Sequence, residues 1–137
     1  EIFAELTYHA AYEPQRAIRT ERYKYIRRFD TYPFPVLANC DESPSKQAYL
    51  DRGWATRPVA RESLHDLFFN PGEGRNLIGE PDYAPVLEEL RGRLEGWMEA
   101  TDDPLLRGPV PPPPGARINT PEQTSASEPT VVAQGAL

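Results

Sequence analysis

The chain has 137 residues, enough for one domain but not comfortably for two, and a formal net charge of −6 with a sequence pI near 5.0. Such acidity excludes general nucleic-acid binding, which needs positive charge spread along one surface. The single cysteine, Cys40, excludes an internal disulfide, no Cys/His cluster has zinc-like spacing, and no run approaches the roughly 18 apolar residues of a membrane-spanning helix.

The chain opens on EIFAELTYH, without Met and without the basic start or apolar centre of a signal peptide. It is expected to be a fragment whose beginning, with any targeting signal, lies upstream, so the compartment stays open. Ile2, Ala4 and Leu6 alternate with Phe3, Glu5 and Thr7, which predicts a first strand. Pro14 to Ile26, PQRAIRTERYKYI, sets Arg16, Arg19, Arg22 and Lys24 among Ala17, Ile18, Tyr23, Tyr25 and Ile26. That spacing predicts strands at Arg16 to Thr20 and Arg22 to Arg28, joined by a hairpin at Thr20-Glu21. One side of the hairpin then packs and the other carries the cations. Glu1 to Arg28 holds six cations against four carboxylates in an otherwise acidic chain, so a local basic patch facing an anion stands beside the plainer reading of solvated surface charge.

Asp30 to Glu62 is a long excursion broken by Pro33, Pro35, Pro44 and Pro58, with a short helix expected around Ser45 to Arg52. Ser63 to Phe69 is read as the fourth strand, and Asn70-Pro71-Gly72-Glu73-Gly74 as a turn. From Asp82 to about Thr101, Tyr83, Leu87, Leu90, Leu94 and Trp97 recur at spacings of three and four, the apolar face of a helix that needs a sheet to cover. Pro85 falls in its first turn and Asp102-Asp103-Pro104 ends it. Tyr23, Tyr25, Trp54, Phe68 and Phe69 are read as core or interdomain packing. The expected fold is α+β: a four-stranded antiparallel sheet packed by one long C-terminal helix. Composition divides the chain at Asp103, because 104 to 137 holds eight of the sixteen prolines and no aromatic residue. That segment, Pro/Ser/Thr-rich, is expected to be a disordered or extended tail.

The series ELTYH, PQRAIRTERYKYI, LHDLFFNPGEGRNL and PDYAPVLEELRGRLEGWMEATDDP, with the PFP and SP of the long excursion, resembles the C-terminal subdomain of sulfatases. The likeness runs from Glu5 to Pro104 and is strongest to enzymes of the heparan N-sulfatase (N-sulfoglucosamine sulfohydrolase) type. It implies a larger N-terminal catalytic domain as partner, holding calcium and a formylglycine made within a Cys/Ser-x-Pro-x-Arg motif, and a sulfated carbohydrate as substrate. No cofactor is expected in this segment. Cys40 has Glu42 where that motif needs proline and Pro44 where it needs arginine.

Adjacent carboxylates at Asp102-Asp103 and Glu88-Glu89 do not converge as calcium ligands must, so no metal residue is assigned. His65 is read as structural. The family places the end of the first strand near the entrance to the active-site cleft, which makes His9 and Glu5 candidates for substrate recognition and Arg16 the candidate cation. The other reading is that Glu5 pairs across the strands with Arg16 or Arg19 and does nothing more. For function, the resemblance implies a pocket-shaping, bracing piece of a sulfatase. The alternative is a free-standing module that binds an anionic ligand through the basic hairpin; neither reading involves nucleic acid or membrane.

Overall fold

A computed structural model describes residues 1 to 133. Strands β1 (Ile2–Tyr8), β2 (Tyr12–Arg19), β3 (Tyr23–Arg28) and β4 (Glu62–Asp66) form one antiparallel sheet in the order β1-β2-β3-β4. Helix α1 spans Pro44–Leu50, helix α2 Ala84–Ala100, and a second two-stranded sheet pairs β5 (Arg117–Ile118) with β6 (Val131–Val132). The α+β class, the four-stranded sheet and the long helix are those expected from the sequence. The chain forms two compact units. One comprises Glu1–Leu6, Pro14–Phe29 and Arg61–Pro109, and the other Thr7–Glu13, Asp30–Ala60 and the chain from Val110 onward.

In the first unit the β2–β3 register sets Ile18 opposite Tyr25, and the β3–β4 register sets Tyr25 opposite Leu64. All three are fully buried. Side chains two apart share a face, so Arg16 and Arg27 lie on this same side. The face is covered by α2, whose buried residues are Leu87, Leu90, Leu94 and Met98. Burying each contributes about 2 kcal/mol. The helix face is rotated slightly from the expected one: Met98 is buried, whereas Trp97 is half-buried and stacks on Phe3 with centroids 5.0 Å apart. A 3-10 turn at Pro81–Tyr83 leads into α2.

Two corrections concern strand ends. The fourth strand stops at Asp66, not Phe69, because the Asp66 carboxylate accepts the backbone N–H groups of Phe68 and Phe69 and curls the chain into a turn. Phe68 and Phe69 are therefore exposed, at 75% and 71%, and do not join the core of this unit. The α2 terminus is also more specific than a stop. Asp102 takes the left-handed conformation (φ 52°) usually given to glycine, its N–H bonds Glu99 O, and the Asp103 N–H bonds Met98 O. That reversal turns Asp103 back toward the sheet.

The second unit has a small apolar cluster of Ala11, Val36 and Ala38 with Ala10 and Tyr32 against it. Most of its definition is polar. Asn39 Oδ1 accepts the N–H groups of Ala10 and Ala11 at 2.9 and 2.8 Å, and its amide donates to Ala11 O and the Glu13 carboxylate. Ser43 caps α1, accepting the Lys46 N–H, and Pro44 begins it. Lys46, 5% exposed, donates to Leu37 O, Cys40 O and Thr124 O and pairs with Glu42. The segment read as a tail carries defined contacts. Asn119 is buried and bridges Ala11, its N–H donates to Ala10 O at 2.8 Å, and the Glu128 carboxylate accepts the N–H groups of Thr124 and Ser125. Positions 134 to 137 of that segment lie outside the described residues.

Candidate functional site

Arg16 sits where β2 faces the end of α2. It is 2% exposed, its Nε and Nη2 both donate to the Asp103 carboxylate, the latter at 3.1 Å, and Nη1 donates to Leu6 O and Gln15 O at 2.8 Å. This is a guanidinium locked into the fold. Burial alone would raise the Asp103 pKa, but the Arg16 bonds and the Leu105 N–H outweigh it and hold the carboxyl below its ordinary value. Glu5 lies 3.8 Å from Arg16 Nε with its carboxylate largely exposed, so the sheet does bring Glu5 and Arg16 together. His9 is exposed in the bend after β1, within the second unit. Asp103 escaped notice as a site residue, although Asp-Pro after a helix signals a capping carboxylate: Asp103 Oδ1 accepts the Leu105 N–H and starts a short 3-10 turn.

A second constellation was not foreseen. Where β3 ends and β4 begins, a cleft of about 560 Å³ opens against α2. Arg27, Arg28, Phe29 and Arg61 line it from the sheet side with Glu62; Glu88, Arg91, Gly92 and Glu95 line it from the helix. Arg91 is fixed by acids: its Nε and Nη2 donate to Glu62 and its Nη1 to Glu88. Glu62 also accepts the hydroxyl of buried Tyr25. Arg91 holds Glu62 below the ordinary carboxylate value despite burial, while burial and the nearby Glu62 push the Tyr25 phenol up. The signal was present in outline, since Glu88 and Arg91 are spaced for an i,i+3 pair. Their partner Glu62 is not local in sequence.

His65 and Cys40 have local roles in the fold. His65 is buried and its Nδ1 lies 3.0 Å from Arg75 O. Burial pushes the Cys40 thiol up, against a smaller opposing pull from Lys46, which is the wrong direction for a nucleophile. Among the described residues no group of three or more His, Cys, Asp and Glu side chains could hold a metal ion, and no helix is long and apolar enough to cross a membrane.

No family model matches the chain. It is 36% identical over 110 residues to an ulvan-active sulfatase of Formosa agariphila, a match covering 80% of this chain and 21% of that protein. The chain is homologous to sulfatases. Human N-sulphoglucosamine sulphohydrolase is 29% identical over 109 residues, covering 70% of this chain and 22% of the enzyme. The chain thus spans about a fifth of the length of the curated relatives it matches, in their C-terminal portion. Among solved structures, a 2-O GAG sulfatase superposes over 93% of this chain and 23% of its own with a TM-score of 0.55 and 22% identity, a likeness in fold. The sulfatase resemblance and its C-terminal location agree with the sequence reading.

Proposed function

We propose that this chain is the C-terminal portion of a sulfatase that hydrolyses sulfate from sulfated carbohydrate, where it braces the catalytic domain and helps shape the substrate pocket. The observation that carries this reading is the 36% identity to a sulfatase over 80% of the chain. N-sulfoglucosamine is the leading substrate class, supported by the likeness to the human sulphohydrolase. Formylglycine and calcium would belong to the remainder of the longer protein. Cys40, four residues before Pro44 and with a raised thiol pKa, does not fit a formylglycine precursor.

In the longer protein, exposed Glu5 and His9 are proposed to meet substrate hydroxyls, with Arg16 steadying Glu5 from 3.8 Å instead of touching substrate itself. The division into a subdomain at 1 to 103 and an extended segment from 104 to 137 belongs to the same proposal, and limited proteolysis tests it by cutting first in the exposed stretch after Leu106, ahead of any site in 1 to 103. The direct test is sulfate release by a polypeptide that joins this chain to a formylglycine-bearing catalytic domain. N-sulfoglucosamine should be the better substrate than a 2-O-sulfated uronate, with Glu5→Gln and His9→Ala raising KM. Turnover of neither compound by the matured protein would remove the reading.

A further inference from the structure

The cleft between α2 and the β3 and β4 ends is lined by four arginines, Arg27, Arg28, Arg61 and Arg91, in a chain of net charge −6, and of these Arg28 is buried in the fold. Its three carboxylates are unequally placed. Glu62 and Glu88 are both engaged by Arg91, leaving Glu95 as the one acid on the cleft wall not bonded to it. Arg27 and Arg61 are exposed; Arg27 stands opposite Glu62 in the β3–β4 register and helps to hold that carboxyl low, without a side-chain hydrogen bond to it among the described residues. The Arg27 guanidinium lies over the Phe29 ring, 4.9 Å from its centroid, a cation–π contact that restricts where this long side chain can go. Planar forks of this kind match the paired oxygens of sulfate and carboxylate groups. The opposite wall is low because Gly92 brings helix backbone to the surface, and a Cβ built there meets nothing within 4 Å. A volume of about 560 Å³ is in the range of small-ligand sites.

We infer that this cleft binds a sulfated, carboxylate-bearing oligosaccharide, with Arg27 and Arg61 gripping anionic substituents, Arg91 held in place by Glu62 and Glu88, and Phe29 offering an apolar floor. The choice of a saccharide over other polyanions rests on the function proposed above; the anion site itself rests on the arginines. Substituents on alternate sugar rings would meet cations from two walls, so a longer chain binds better than inorganic sulfate.

The test is calorimetric titration of the 137-residue chain with a heparin-derived octasaccharide, beside the same octasaccharide after complete desulfation. Saturable binding is expected for the sulfated form alone, weakened about tenfold or more in Arg27→Ala/Arg61→Ala, since each variant position removes a charge-assisted donor. Arg19→Ala/Arg52→Ala, which removes two cations outside the cleft, should bind nearly as the parent does. Gly92→Glu improves helix propensity while placing bulk and negative charge on the cleft wall, so its loss of binding cannot be ascribed to unfolding. Equal loss in both double-arginine variants, unaltered affinity in Gly92→Glu, or no binding by the parent chain overturns the inference. The two readings fail separately: sulfate release by the longer protein with cleft variants binding as the parent does removes only the cleft, and intact cleft binding without sulfate release removes only the assigned activity.

Discussion

The first unit closes around Ile18, Tyr25, Leu64 and the apolar face of α2, whereas the second is organised by Asn39, Lys46 and Asn119 reaching backbone groups of distant segments. One relies on area removed from water. The other relies on polar side chains that satisfy loop amides and carbonyls which have no ladder to join. Both kinds of unit also contain a buried cation, and the contrast is instructive there too. Arg16 bonds the Asp103 carboxylate just past α2 and the Leu6 and Gln15 carbonyls on strands, with Glu5 at 3.8 Å, while Lys46 gathers the Leu37, Cys40 and Thr124 carbonyls and the Glu42 carboxylate. Removing either should damage its own unit in its own way.

The largest effect is expected at Asp103. Asp103→Ala strands the Arg16 guanidinium in the interior, which costs about 3 to 5 kcal/mol, and urea unfolding should report it. Replacing both partners with apolar residues, Arg16→Met/Asp103→Leu, should recover much of the loss, because the uncompensated charge goes as well. Next comes Lys46→Met, which removes the ammonium from the Cys40 and Thr124 carbonyls and from Leu37 O, the last keeping the Cys40 N–H, a loss on the order of 2 to 3 kcal/mol. Hydrogen exchange should quicken in the second unit, around 37 to 40 and 119 to 128, with the α2 amides little changed.

Acid should act on both units, since Lys46 holds Glu42, and the Thr124 N–H holds Glu128, below the ordinary carboxylate value in the second. Arg22 holds Asp66 below its ordinary carboxylate value against burial, and Asp103 and Glu62 are lowered as well. A carboxylate with a depressed folded pKa contributes fully above its unfolded value near 4 and loses that contribution as pH falls through the folded value. Thermal stability of the first unit should therefore hold from about pH 7 to pH 5 and decline below about pH 4, with Asp66→Asn and Asp103→Asn flattening the decline. The smallest effect is expected at Asp102, which is left-handed and exposed. Asp102→Gly relieves the backbone but gives up the Arg107 pair, so the midpoint should move by less than about 1 kcal/mol.

Much of the first unit was legible because period 2 and period 3.6 are local signals. Arg16 to Arg28 reads as a hairpin, and Leu87, Leu90 and Leu94 mark α2 correctly. What failed was any feature decided at long range. Alternation places Arg16 beside Ile18 on the buried face, yet only Asp103, 87 residues away, explains why a guanidinium is tolerated there. Phe68 and Phe69 look like strand residues until the Asp66 carboxylate takes their amides. Likewise the stretch after Asp103 is poor in apolar residues, and composition cannot foresee that Lys46 and Asn119 supply its contacts. Of the candidate site, Glu5 and His9 are exposed, while the arginine cleft depends on Glu62 meeting Arg91 across 29 positions.

The division of labour between this chain and a catalytic domain is tested most directly by sulfate release from N-sulfoglucosamine, measured for the purified 137-residue chain and for the same chain joined to a formylglycine-bearing sulfatase domain. Release by the joined protein and none by the chain alone is the expected result. Catalytic release by the chain alone, or none by the matured joined protein, would contradict the account.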